Sequence, residues 1–330
     1  MPVPAVWANK SKKAWDDYCR LPDRFGREYD EIFNVFVSEE ASPAESLDDF
    51  RAWVSDLNGS WGFRGQRESE WTLQTSLDRE IRVAHNSGHY HLDRRGEEDD
   101  LLFRFQQQAQ HYVAHLPSPE DRAGWLALMQ HHGVPTRLLD WTQSPYVPLY
   151  FAVEAGPQGA RGNKNEAGQK ELCSAVWAID LDFLEWKSRE LLGSIPIEPR
   201  ARMEYLNGLL DRREEPLVVR IDPLHGNERM FAQQGFFLWK LFVETPYLDQ
   251  ILTSMMTKPD LIVRPVLRKL RIKGARRFDL LEQLRAMNIH RASLFPGIDG
   301  FCQNLKVDLQ IKVERERQRV NQPNREVLHG

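Results

Sequence analysis

Three short stretches of the chain concentrate side chains able to do chemistry. The first is Phe63-Arg64-Gly65-Gln66. An arginine at the end of an aromatic, glycine-flanked strand can present its guanidinium to a cleft. The planar fork suits a diphosphate, and its charge does not titrate away. The glycine after it lets the backbone turn. The second stretch runs from Thr136 to Ala152 and sets Arg137, Asp140, Thr142 and Ser144 directly ahead of a very apolar helix. Polar groups mounted against a buried helix stand on a rigid support, as a binding site requires. A structural Arg137–Asp140 ion pair with a hydroxyl cap is the competing reading. The third is Arg229-Met-Phe-Ala-Gln233-Gln-Gly235, where Gln233 or Gln234 projects from a strand edge into a cleft or serves as an ordinary solvated turn amide.

Other chemistries find less support. His85, His89 and His91 share a polar stretch, but no cysteine or carboxylate arrangement completes a ligand set. His111 and His115 stand four apart, yet Tyr112 replaces the glutamate of a metalloprotease helix. No metal is expected. The chain contains no P-loop, no GxGxxG fingerprint and no GxSxG elbow, which weighs against a nucleotide kinase, a Rossmann dehydrogenase and an α/β-hydrolase.

Positioning these stretches takes both strands and helices. Ser46 is placed to cap a helix through Trp53 and Leu57 that ends at Asn58-Gly59, ahead of a strand at Trp61–Gln66. Residues 82–98 are polar and read as a surface loop. Helical spacing of Leu101, Leu102, Phe105, Ala109 and Tyr112 predicts a helix from Asp99 to His115, and another runs from Pro119 to His131. Ser144-Pro145 reads as an N-cap and first-turn proline for the apolar helix behind the second stretch. Gly156–Lys170 reads as a mobile loop. Strands are expected at Cys173–Ile179, Leu217–Ile221, from Gly235, and within Ile262–Ile272 around Pro265. Helices follow over Phe278–Met287 and beyond Pro296-Gly297, the last with Phe301, Leu305, Leu309 and Val313 on one stripe. Strands scattered among helices without regular alternation indicate α+β rather than a doubly wound sheet.

The chain has 330 residues, enough to bury a core without disulfides or metal. Forty-four basic against 48 acidic residues give a net charge of −4, which argues against a basic coat for gripping nucleic acid. The run Arg264–Arg277 is a local basic strip or, alternatively, a solvated strand and turn. No apolar run reaches the roughly 20 residues of a membrane helix, and the N-terminus lacks the layout of a signal peptide. Three separated cysteines, Cys19, Cys173 and Cys302, fit a reducing compartment. The expected location is the cytoplasm, with no membrane contact.

Phe63-Arg-Gly-Gln, His132-Gly-Val-Pro-Thr-Arg-Leu-Leu-Asp-Trp-Thr-Gln-Ser-Pro with Leu149-Tyr-Phe-Ala152, Arg229 with Gln233-Gln-Gly, and Leu294-Phe-Pro-Gly-Ile-Asp-Gly300 together resemble the bacterial FRG domain. That domain is similar to the ADP-ribosyltransferase fold, whose motifs come in the order arginine, Ser-Thr-Ser, glutamate. The resemblance implies a split β core with flanking helices over residues 46–310; outside it, the aromatic-rich residues 1–45 read as an appended helical extension and 311–330 as a helix end and tail. It implies NAD as substrate and an enzyme transferring ADP-ribose to a protein, RNA or DNA acceptor, in a toxin or anti-phage setting with a neutralising antitoxin protein. A plain NAD glycohydrolase and a non-catalytic nucleotide- or peptide-binding module of the same fold are the alternatives.

Arg64 matches the arginine that grips NAD, with Gly65 and Gln66 beside it. Thr142-Gln-Ser144 matches the hydroxyl motif, with Thr136 and Arg137 as helpers at the cofactor. Gln233-Gln-Gly235 falls where the glutamate is expected, but no carboxylate stands there. The electrostatic role near the ribose then falls to Asp140, Glu228 or Gln233, with Asp140 preferred because it sits in the rigid block with a full charge. Pro148 also departs from the family pattern.

Overall fold

Alternating aromatic and small residues in Trp61–Gln66 (β2) let this strand sit in a sheet interior, and it does. The computed structural model describes residues 37–86, 93–155, 172–194, 196–211, 217–222, 228–243, 247–248, 250–251 and 265–321. In it, β2 joins Val37–Glu39 (β1), Leu138–Thr142 (β3), Cys173–Asp180 (β4), Val218–Ile221 (β5), Gly235–Lys240 (β6) and Leu267–Lys273 (β7). Their order is β1-β7-β4-β2-β3-β6-β5, in one open seven-stranded sheet. The β1–β7 pair is parallel and all the others are antiparallel. With helices on the sheet in irregular order, the fold is α+β.

The helices are Leu47–Ser55 (α1), Ser76–Asn86 (α2), Arg94–Ala109 (α3), Arg122–His131 (α4), Tyr146–Glu154 (α5), Leu181–Leu192 (α6), Pro199–Asp211 (α7), Glu228–Ala232 (α8), Arg277–Ala286 (α9), Arg291–Leu294 (α10) and Ile298–Asn321 (α11). Ser46 caps α1 as expected: its hydroxyl accepts from the Asp49 amide at 3.1 Å, and the Asp49 carboxylate accepts from the Ser46 amide at 2.9 Å. Helix α5 is buried almost all round, with Val147, Leu149, Tyr150, Ala152 and Val153 among helices α1 and α9 and strands β2 and β4. Its Pro148 falls in the first turn, where an amide lacks an intrahelical partner anyway. A second cluster gathers α3, α4 and α7 over β5 and β6, and a third covers the opposite face around Trp141, Trp177 and Tyr247.

Several local expectations are corrected. Residues 82–98 are not a surface loop in their described part: α2 runs to Asn86, and α3 starts at Arg94 behind an Asp93 cap. Their polarity misled because the charges turn inward, Arg94 toward Asp78 and Glu98 toward Arg137. Ser144 does not cap α5; the helix starts after Pro145 with no side-chain cap. Residues 37–45 of the expected helical extension form an edge strand and a bridge from Ala44 to Ile272. Residues 1–36 and the expected loop at 156–170 lie outside the described residues.

The basic strip on β7 is met by acids: Arg268 by Glu40 and Asp56, Lys269 by Glu39, and Lys273 by Glu45. Helix α11 runs unbroken through residues 310–311, and Phe301, Leu305, Leu309 and Val313 face solvent along it. No helix among the described residues is long and apolar enough to cross a membrane.

Candidate functional site

β2 and β3 are neighbours in the sheet, yet their ladder holds one residue pair, Phe63 opposite Thr142. From there β2 stays with β4 as far as Gln66, and β3 stays with β6 as far as Leu138. The two strands splay apart, and a cavity of about 370 Å³ opens at the divergence. Arg64, Asp140, Thr142, Arg229, Gln233 and Arg291 line it, with Phe151 and Phe295 as its apolar walls.

Gly65 has a different task from the turn expected of it. It is paired in the strand opposite Val176. A Cβ there would run into the Pro148 carbonyl oxygen and lie 2.8 Å from the carbon of that carbonyl and 2.9 Å from the Ala152 amide nitrogen. The glycine therefore admits the backbone of α5 against β2, which brings Val147, Pro148 and Phe151 to the cavity wall.

Arg64 leaves β2 opposite Trp177 and reaches across the opening, where its Nη1 donates to the Asp140 carbonyl at 2.6 Å. Its Nε is buried and has no hydrogen-bond partner among the described residues. Burial pulls this guanidinium below its ordinary pKa, and the Asp140 charge opposes that shift. Burial lowers the pKa of Arg229 as well; Asp140 opposes that shift and Arg291 adds to it. Arg291 donates to both carboxylate oxygens of Glu154, at 3.0 and 2.9 Å. Its guanidinium lies 3.7 Å from the Phe295 ring centre, and that of Arg229 lies 4.5 Å from it. Asp140 is the one carboxylate among the described lining residues, so three arginines make the cavity a place for an anion.

The strand pattern of β3 turns Asp140 outward between buried neighbours. Its Oδ2 accepts from the Gln130 amide at 2.9 Å. Arg137 does not pair with it. That side chain is 1% exposed, its Nε is 2.7 Å from Glu98 Oε2, and its Nη1 donates to the Leu241 carbonyl. Thr136 is likewise buried, its hydroxyl donating to Gln130 Oε1 at 2.6 Å. Gln66 accepts from the Trp177 indole at 2.7 Å and donates to the Thr72 carbonyl. These three expected cofactor ligands belong to the core and do not line the cavity.

Thr142 donates to the Gln233 carbonyl at 2.6 Å and accepts from the Ser144 amide at 3.0 Å. Ser144 itself lies outside the lining. The Gln233 amide donates to the Leu294 carbonyl at 2.9 Å, which ties α8 to α10. Glu228 is exposed at the start of α8 and does not reach the cavity.

Arg291, Phe295, Gln130 and His131 were missed by reasoning from the sequence. The spacing of Arg291 and Phe295, four apart beside Pro296-Gly297, was the available signal for two of them. No group of three or more His, Cys, Asp or Glu among the described residues is disposed to hold a metal ion.

Residues 59–160 match the FRG domain. The matched segment holds β2, β3 and α2 to α5, and so Arg64, Gly65, Asp140 and Thr142. Gln233, Arg291 and Phe295 lie beyond the FRG match, and the fold brings them to the same cavity. No curated protein and no solved structure matches the chain.

Proposed function

We propose that this cavity binds NAD and breaks its nicotinamide–ribose bond, in the manner of an ADP-ribosyltransferase. The observation that carries the reading is the convergence of Arg64, Thr142 and Gln233, in the motif order of that fold, on one arginine-rich cavity with a single carboxylate. Cleavage builds positive charge on the ribose, so the site must anchor the diphosphate and place negative charge near C1′. Arg64, with its unpartnered buried Nε, and Arg229 hold the diphosphate. Asp140 supplies the charge that Gln233 lacks, and Gln130 fixes its carboxylate. Phe151 and Phe295 offer flat apolar surface to the nicotinamide or adenine ring.

The second reading, a binding module that holds a nucleotide without cleaving it, is favoured by the amide at Gln233 in place of a glutamate. Mass spectrometry of NAD incubated with the protein and a bacterial lysate separates the two. Nicotinamide release that disappears in Arg64→Ala supports cleavage, whereas NAD binding without release supports the module.

A further inference from the structure

A second, smaller cavity of about 60 Å³ adjoins the first and shares Asp140, Trp141, Arg229 and Gln233 with it. Gln130, His131, Met230 and Gly235 complete the part that matters here. That cavity has room for a few waters. An ordered water needs two to four polar partners, and Asp140, His131, Gln130 and Arg229, all among the lining residues, carry groups of that kind.

The carboxylate between the two cavities is held from one side by a fixed relay. Thr136 donates to Gln130 Oε1, which leaves Gln130 Nε2 to donate to Asp140 Oδ2. The Ser76 hydroxyl accepts from the Thr136 amide at 3.0 Å and buttresses the same turn. His131 packs edge-on to His132, with ring centres 4.9 Å apart. Burial, then the neighbouring His132 and Arg229, pull its pKa below the ordinary histidine value, so at neutral pH its ring is uncharged.

We infer that the small cavity is the seat of the nucleophile and that the nucleophile is water, with His131 as proton acceptor and Gln130 as the positioning residue for Asp140. This inference rests on the proposed cleavage of NAD and names its acceptor. The water oxygen bonds to C1′ as the C1′–nitrogen bond breaks, and that bond's electron pair leaves on the nicotinamide nitrogen. One water proton passes to His131 and on to solvent; the other stays on the new hydroxyl. The balance is NAD⁺ and water giving ADP-ribose, nicotinamide and H⁺.

Gly235→Ala tests the cavity without touching the arginines. A Cβ at Gly235, one of the lining residues, meets its nearest heavy atom, the Met230 carbonyl oxygen, at 3.5 Å, an ordinary contact. Full-length wild type, Gly235→Ala and His131→Asn are each incubated with NAD, with and without a bacterial lysate. NAD affinity is read by calorimetry, and a high-resolution crystal structure of the wild type shows whether the cavity is wet. The expected result is nicotinamide and free ADP-ribose in equal amounts, unchanged by lysate, with ordered water between Asp140 and His131. Release falls by about tenfold or more in Gly235→Ala and about a hundredfold in His131→Asn, with NAD affinity unchanged in both. Nicotinamide release with ADP-ribose found on protein or nucleic acid overturns the inference and leaves the cleavage reading intact. A dry cavity, or full release in Gly235→Ala, overturns it as well. NAD bound but never cleaved by the wild type removes the cleavage reading, and this inference with it.

Discussion

Gly65→Ala is the substitution for which the structure yields the most direct magnitude. The new methyl carbon would collide with the Pro148 carbonyl oxygen and sit 2.8 Å from the carbon of that carbonyl and 2.9 Å from the Ala152 nitrogen, all backbone atoms of α5. Clearing the Pro148 carbonyl oxygen requires the helix to retreat by more than about 1 Å, or β2 to bend. Helix α5 cannot retreat freely, because Leu149, Tyr150, Ala152 and Val153 are packed against α1, α9, β2 and β4. Overpacking of this kind costs about 1–3 kcal/mol, and a backbone-to-Cβ collision belongs at the upper end. Thermal unfolding should show a fall of about 2–4 °C per kcal/mol. Gly208→Ala in α7 is the matched control: nothing lies within 4 Å of its added Cβ, and mid-helix alanine gains roughly 0.5–1 kcal/mol over glycine. The two alanines should therefore move the melting temperature in opposite directions. If Gly65→Ala melts with or above the wild type, the claim that this glycine exists to admit α5 is wrong.

Replacing Glu98 by Ala strands the Arg137 guanidinium in the core and should cost about 3–5 kcal/mol, read by chemical denaturation. The same carboxyl makes stability pH-dependent. Burial raises its pKa, but Arg137 and then Arg122 outweigh that and hold it below the ordinary glutamate value. Its contribution is thus complete above the unfolded glutamate pKa and lost as pH falls through the depressed folded value, so the Glu98→Gln melting curve should converge on wild type in acid. Asp140→Asn should leave NAD affinity within a few fold while lowering nicotinamide release by about 10²–10³-fold, as loss of a charge aimed at the transition state does. Arg64→Ala should weaken NAD binding, measured by calorimetry, more than it alters the melting temperature.

Some motif residues on strands were legible in the sequence. Arg64, Asp140 and Thr142 come from short strands of mainly apolar residues, and each lines the cavity, although only Asp140 is exposed. Thr136, Arg137 and Gln66 carry equally suggestive side chains but are spent on interior partners. A single sequence does not reveal that Glu98, 39 residues upstream, is the partner of Arg137, because nothing local distinguishes a buried charge with a distant mate from a solvated one. The same blindness turned the start of α3 into an expected loop. Gly65 reads as a turn in the sequence because its cause is the backbone of another element, a contact that no window of sequence contains.

The sheet carries a seam. Four strands lie on one side of the β2–β3 boundary and three on the other, and one backbone pair, Phe63 with Thr142, spans it beside the reach of Arg64 to the Asp140 carbonyl. A ligand gripped by Arg64 from one side and by Arg229 and Gln233 from the other would act as a splint across that seam. Its presence at a hundred times its dissociation constant adds about 2.7 kcal/mol to the folded state. Melting therefore becomes a chemistry-blind detector. A panel of nucleotides and dinucleotides screened by thermal shift would report the ligand that bridges the two halves, before any reaction is assayed.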